Sequence, residues 1–198
     1  MSRIFFVILA VVVFVGAVIG GRNFFLYDRN KVTTVGTVNI GGPFNLIDQT
    51  GKAVTEKDFA GKYMLIYFGY TFCPDVCPTS LSIMGEAIHM LHQKQQDKVV
   101  PIFITIDPER DTPEVMAAYV PNFYEKMVGL TGSMQNIKAA AKAFKVFYAK
   151  ANEDDPDGNY TMDHGSTTYL MGPHGRYVTH FTHGTPATAI AAKLAEYL

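Results

Sequence analysis

Tryptophan is absent from this chain, and cysteine nearly so: Cys73 and Cys77 are the two thiols among 198 residues. Two cysteines exclude the common four-cysteine iron–sulfur clusters. An excess of charge of one sign is missing too. The 17 basic and 18 acidic residues leave a formal net charge of −1, so nothing points to nucleic acid or to a strongly charged partner. There is no internal repeat and no low-complexity segment.

Polar residues are missing from Ile4 to Gly20, IFFVILAVVVFVGAVIG, a run bounded by Arg3 and Arg22. At about 1.5 Å per residue it spans roughly 26 Å, within the usual range for a membrane-spanning helix. It lacks the polar face of a buried core helix of that length. Small residues lie near its end (Gly16, Ala17, Gly20, Gly21) but form no A-x-A cleavage site. The expected organisation is an uncleaved membrane anchor over residues 1–21, a linker over 22–38 and one domain over 39–198. Charge hardly orients the anchor: Arg3 and the amino terminus oppose Arg22, Arg29 and Lys31, with Asp28 offsetting the latter. A cysteine pair in an exported domain suits an oxidising compartment, which places the domain outside the cytoplasm.

Within the domain, Phe44 to Asp48 and Ala53-Val54 flank the glycine-containing turn Gln49-Thr50-Gly51-Lys52, a β-hairpin pattern. Thr55 is placed to cap a short helix over Glu56 to Ala60, ended by Gly61. Tyr63 to Phe68 and Val99 to Ile106 are continuously apolar, as expected of strands buried on both faces, with Pro101 near the start of the second. A helix is expected from Cys77 to Gln96. Thr112-Pro113-Glu114 is a strong helix start, with that helix reaching Phe123. Met127 to Leu130 reads as a short strand, Ser133 to Phe144 as a helix, Lys145 to Lys150 as a strand and Glu153 to Asn159 as an acidic loop. Thr167 to Met171 and Tyr177 to Thr182 read as a second hairpin about the turn Gly172-Pro173-His174-Gly175. Thr185-Pro186 opens a C-terminal helix. Alternating strands and helices imply an α/β domain, a central sheet flanked by helices, with the first hairpin as an N-terminal extension.

Cys73 and Cys77 lie in the run Cys73-Pro74-Asp75-Val76-Cys77-Pro78, between a strand's carboxyl end and a helix's amino end, where open α/β sheets place their sites. Two sulfurs there can share a soft metal or close into a disulfide. Free N–H groups at the helix start favour a thiolate at Cys77. Zinc normally needs a fourth protein ligand, whereas Cu(I) is content with three. Among the six histidines, His89 and His92 belong to a solvated helix face, His174 lies in a turn, and His180 and His183 are surface candidates. His164 follows Asp163, which can hold one ring nitrogen and so choose which faces a metal. Spacing alone leaves the third ligand open.

The run Tyr67-Phe68-Gly69-Tyr70-Thr71-Phe72-Cys73-Pro74-Asp75-Val76-Cys77-Pro78 resembles the copper site of the Sco/SenC family. Asp107-Pro108-Glu109-Arg110-Asp111-Thr112, Val128-Gly129-Leu130-Thr131-Gly132, and Asp163-His164 followed by Tyr169-Leu170-Met171-Gly172-Pro173 and Gly175 match it as well, in the family's order. The resemblance implies a thioredoxin-like (peroxiredoxin-like) fold behind a single N-terminal transmembrane helix, although the Trp that precedes the cysteines of a thioredoxin is not here. It implies Cys73, Cys77 and His164 as copper ligands. It implies delivery of copper to the binuclear centre of cytochrome c oxidase subunit II, with another copper chaperone as a further partner. It also implies an inner-membrane location with the domain on the periplasmic or intermembrane-space side. This sequence departs at His174, where aspartate is commoner, and at Gly165-Ser166, which replace bulkier residues.

Asp75 is a candidate for steering copper or a partner, or for capping the helix. Asp107, Glu109 and Arg110 are expected to form an ion pair at the rim. Met162 and Met171 belong to the core rather than to transfer. The competing function is a thiol–disulfide oxidoreductase using Cys73 and Cys77 to reduce the acceptor's cysteines. A peroxidase of the peroxiredoxin type fits poorly: Thr71 precedes Cys73 by two residues rather than three, and no proline lies upstream in that loop.

Overall fold

Two apolar runs build the centre of the domain. Tyr63–Gly69 (β3) and Val99–Thr105 (β4) pair in parallel along their whole length, from Tyr63↔Val99 to Gly69↔Thr105. Nearly all their side chains are buried, which is why neither strand alternates in polarity. The computed structural model describes residues 39–151 and 160–198, within the compact unit Asn39–Leu198. The expected anchor and linker and the acidic loop from Glu153 lie outside the described residues.

Asn45–Asp48 (β1) and Ala53–Thr55 (β2) form the first hairpin, with Gly51 in its turn at φ +84°. Val128–Thr131 (β5) runs parallel to β4, and Thr168–Met171 (β8) runs antiparallel to β3 and pairs with Tyr177–Phe181 (β9). The sheet order is β2-β1-β5-β4-β3-β8-β9. Pro101 pairs with Leu65 just before β5 joins β4, at Ile102↔Val128. Its missing N–H therefore falls where β4 has one neighbour.

Helix Val76–His89 (α1) follows β3, and Pro113–Tyr119 (α3) lies between β4 and β5. Both lie over the sheet face carrying Tyr67 and Phe103: a Cβ on Gly69 would meet Cys77 Sγ, and Tyr119 packs 5.7 Å from Phe103. Met134–Phe144 (α4) covers the opposite face, with Phe144 centred 5.3 Å from Phe68. Ala187–Ala195 (α5) packs on α1. The caps follow their sequence signals. Thr112 accepts from Val115 N–H, Ser133 accepts from Asn136 N–H, and α4 closes with Lys145 in the left-handed region.

Four sequence expectations need correction. The helix expected through Gln96 stops at His89. His92 is extended, and Gln93–Gln96 forms a separate turn of helix (α2) whose Gln96 side chain donates to the Leu91 carbonyl, while Leu91 turns inward. The helix expected to reach Phe123 ends at Tyr119 and tightens into a 3-10 turn over Val120–Asn122, where Pro121 lacks an N–H. Glu56–Phe59 is likewise a 3-10 turn, closed by Asp58 Oδ2 accepting from Thr55 N–H at 2.8 Å. The strand expected over Lys145 to Lys150 begins at Tyr148 (Tyr148–Ala151, β6), because Lys145 and the following turn cap α4 first. It pairs with Thr161–His164 (β7) as a two-stranded ribbon apart from the main sheet.

Candidate metal centre

The cysteine loop is built by strand β3 ending against a helix start. Gly69, the last residue of β3, must be small: a Cβ there would lie 2.6 Å from Cys77 Sγ and 3.0 Å from the rings of Phe103 and Tyr67. Tyr70, Thr71 and Phe72 carry the chain to Cys73, three residues before α1. Cys77 lies in the first turn of α1 and is fully buried; Cys73 is half-buried. The two sulfurs therefore do not share a helix face. They are brought together because Cys77 N–H points at Cys73 Sγ, 3.5 Å away.

That geometry reverses one expectation. The helix-terminal N–H faces the sulfur of Cys73, and burial pushes the Cys77 thiol well up, reinforced by the neighbouring Cys73 and opposed by the Tyr70 backbone and the Tyr67 side chain. Cys77 is a protonated thiol in the metal-free protein, and a metal must displace its proton.

His164, at the end of β7, supplies the third donor. Its Nε2 lies 3.4 Å from Cys77 Sγ, and the ligand atoms of Cys73, Cys77 and His164 all lie within 4.8 Å of one another. Among the described residues they form the one such group. The ring stands edge-on to Tyr67 and Tyr70, with centroids 6.2 and 5.9 Å away. Nδ1 lies 2.9 Å from the Gly165 carbonyl. A carbonyl can only accept, so the assigned tautomer has its proton on Nδ1 and the Nε2 lone pair facing the sulfurs. Burial lowers the His164 pKa below the usual 6.5, and the Gly165 carbonyl and Asp163 counter this in part. The imidazole is thus neutral at pH 7, as a ligand must be. Asp163 does not orient the ring as expected. It sits exposed on the alternate side of β7, and the backbone of Gly165 takes that role.

A buried carboxylate fixes the cysteine loop from behind. Asp111, with no exposed surface, accepts from Thr71 N–H at 3.0 Å, Thr71 Oγ1–H at 2.5 Å and Thr105 Oγ1–H at 2.6 Å, while its carbonyl accepts from Thr131 Oγ1–H at 2.7 Å. It joins the residue two before Cys73 to the ends of β4 and β5. Nothing local in the sequence marks Asp111 for burial; the one signal is the threonine that ends each of β4 and β5, Thr105 and Thr131. Nearby, Arg110 pairs with buried Asp107 at 2.5 Å, donates to the Tyr160 carbonyl at 2.9 Å and stacks on Tyr160 and Phe72 at 3.7 and 4.8 Å. Glu109 instead bonds Lys150 at 2.7 Å. Asp75 precedes α1 but makes no side-chain cap; its Oδ1 accepts from Thr79 Oγ1–H at 3.4 Å. Met162 and Met171 are core residues. His89, His92, His174, His180 and His183 are all exposed.

Two sulfurs and one neutral imidazole suit a soft, low-coordinate cation and leave zinc a ligand short. Half-exposed Cys73 gives such an ion a way in. The fold and site define a thioredoxin-like α/β protein whose cysteine loop has gained a distant histidine. Residues 32–198 match the SCO1/SenC family model, and the chain belongs to that family. It is 50% identical over 144 residues to the SCO2-like protein RP587 of Rickettsia prowazekii, covering 73% of this chain and 70% of that one. It is 40% identical to Protein sco1 of Schizosaccharomyces pombe, covering 90% and 72%. Bradyrhizobium japonicum ScoI with copper bound superposes with a TM-score of 0.74 at 46% identity, covering 80% of this chain and 99% of that one. BsSco, described as carrying a disulfide switch and as a member of the Sco family of cytochrome c oxidase assembly proteins, superposes at 0.62 and 28% identity, covering 80% and 94%.

Proposed function

We propose that this chain is a membrane-anchored copper carrier. It holds Cu(I) through Cys73, Cys77 and His164 and delivers it to the binuclear centre of cytochrome c oxidase subunit II. The observation that carries this reading is the convergence of three soft or borderline donor atoms within 4.8 Å. The copper-bound relative and the oxidase-assembly role ascribed to BsSco's family support the cargo and its destination.

Transfer proceeds by ligand exchange. A three-ligand site leaves room for a fourth, incoming ligand, and half-exposed Cys73 marks the side of approach, while buried Cys77 holds on longer. Exposed Phe72, beside Cys73, and exposed Phe147, whose carbonyl accepts from Gly165 N–H, offer a partner apolar surface near both halves of the site. Another copper chaperone on the same face supplies the copper. The run from Ile4 to Gly20 anchors the chain in the inner membrane, residues 22–38 link it, and the domain stands on the periplasmic or intermembrane-space side. Relatives named as mitochondrial fit that placement. Among the described residues no helix is long and apolar enough to cross a membrane.

Metal analysis of the reduced full chain in detergent tests the reading. One copper per chain with two sulfur ligands is expected. His164→Ala should weaken Cu(I) binding by more than about 100-fold, since even residues behind a ligand cost 10–100-fold, and should leave the disulfide able to form. The second reading, a thiol–disulfide oxidoreductase, is favoured by the adjacency of Cys73 and Cys77 and by the disulfide switch described for BsSco. In it, two thiols of this chain become one disulfide as a disulfide of the acceptor becomes two thiols. Full copper affinity in His164→Ala, with lost reductase activity, would select it.

A further inference from the structure

The cysteine loop and the histidine ribbon are tied to one short loop, residues 107–111 after β4. Asp111 holds Thr71, two residues before Cys73. Its neighbours hold the ribbon instead. Glu109 bonds Lys150 of β6 at 2.7 Å. Asp107 and Arg110 grip Tyr160, the residue before β7 and four before His164. Arg110 Nη1–H donates to the Tyr160 carbonyl at 2.9 Å, and the Tyr160 hydroxyl donates to Asp107 Oδ1 at 2.7 Å. Arg110 Nε–H closes the circuit on Asp107 Oδ2 at 2.5 Å. The guanidinium carbon lies 3.7 Å from the centre of the Tyr160 ring and 4.8 Å from that of Phe72, so one cation also touches the residue beside Cys73. It stays there although its Nη2 is buried without a hydrogen-bond partner, a loss that asks for a reason. Strand pairing does not join the ribbon to the main sheet, so side-chain ties of this kind carry more of its placement.

We propose that Arg110, with Asp107 and Tyr160, is a clasp that closes the ribbon onto the cysteine loop and sets where His164 stands relative to the two sulfurs. All three are positioning residues for copper binding, outside the ligand set. The planar guanidinium suits the task because it bonds a carboxylate and a carbonyl in fixed directions while its face meets the rings; the ammonium of lysine is a point charge and cannot do both. The proposal rests on the copper reading above and adds to it the device that holds the third ligand in place.

The test is Arg110→Ala in the full chain. Cu(I) affinity, measured by competition with a chromophoric chelator, should fall about tenfold or more, the scale found for residues that orient a ligand. Arg110→Lys should not restore it. In a His164→Ala background the same change should leave affinity within about twofold, because the clasp acts through that ring. A general loss of structure would cost affinity in both backgrounds. In the metal-free protein, backbone amides of β6 and β7 should exchange with solvent about tenfold faster while those of β3 and β4 keep their rates. Undiminished copper affinity, full rescue by lysine, an equal loss without His164, or unchanged exchange in the ribbon overturns the proposal. Should Arg110→Ala not fold because Asp107 is left unpaired, Tyr160→Ala decides by the same measurements, since it keeps the ion pair and removes what the ribbon offers to it. A native chain that takes up no copper overturns the functional reading itself; amide exchange in the metal-free chain then still decides the clasp.

Discussion

The cysteine loop and the histidine ribbon meet at one site but are held in different ways. The loop is wedged between β3, β4 and α1, tied by two hydrogen bonds from Thr71 to buried Asp111, which Thr105 of β4 holds in turn, and so crowded at Gly69 that no side chain fits. The ribbon of β6 and β7 is a two-stranded ladder apart from the main sheet, where every residue of β6 is half-buried and Gly165 has open space around it. A carrier needs both qualities. The sulfurs are presented by a rigid frame, and the imidazole sits on the element that can yield when the ion leaves.

The largest blow to this contrast should come from Asp111→Asn. Asparagine offers one acceptor oxygen and an NH2 group to three donors, so about 2–3 kcal/mol of stability should be lost in urea unfolding of the metal-free protein. Copper affinity should fall with it, because Thr71 would no longer hold the approach to Cys73. A variant as stable as the native chain would show that the frame lies elsewhere.

Gly69→Ala should follow at about 1–3 kcal/mol. The added methyl meets a buried sulfur and two ring edges, none of which is a free chain end. The expected signature is a joint loss of stability and of copper affinity, since Cys77 Sγ must shift. Undiminished copper binding would mean that the loop is softer than its packing implies.

Acid separates the two halves by sign. His164 has a folded pKa below its ordinary 6.5, mainly through burial. As pH falls from 6.5, the unfolded chain takes up the proton first, so metal-free stability should drop until pH passes the lowered folded value. Asp111 has a folded pKa above its ordinary 3.8, again mainly through burial. Its contribution is fully present below 3.8 and is lost as pH rises through the raised folded value. His164→Ala should therefore flatten the decline below pH 6.5, measured as unfolding free energy against pH. An unchanged slope would mean that the imidazole is solvated and the ribbon open.

Much of the loop half was legible in the sequence because its signals are local. Apolar runs mark β3 and β4, Thr112-Pro113 marks a helix start, and the cysteines stand four residues apart. The ribbon half was not. The contact between Cys77 and His164 spans 87 residues of sequence, and β7 is a four-residue strand whose short alternation passes for a loop. Without the family resemblance, His164 was one histidine among several. Asp111 was hidden for a related reason. Its burial depends on Thr71, 40 residues earlier, and a carboxylate that the core will enclose looks no different in sequence from one left in water.

The smallest effect is the sharpest check on the contrast. A Cβ added at Gly165 would meet nothing within 4 Å, and no positive φ is required there. The two bonds that Gly165 makes, its N–H to the Phe147 carbonyl and its own carbonyl to His164 Nδ1, are backbone bonds that alanine retains. Gly165→Ala should therefore leave the unfolding free energy within about 0.5 kcal/mol of the native value, and copper affinity within about twofold. The same substitution is thus expected to be costly at one wall of the site and nearly silent at the other. A loss of more than about 1 kcal/mol in Gly165→Ala would mean that the histidine side is packed as firmly as the cysteine side, and the imidazole would no longer be the ligand placed to yield.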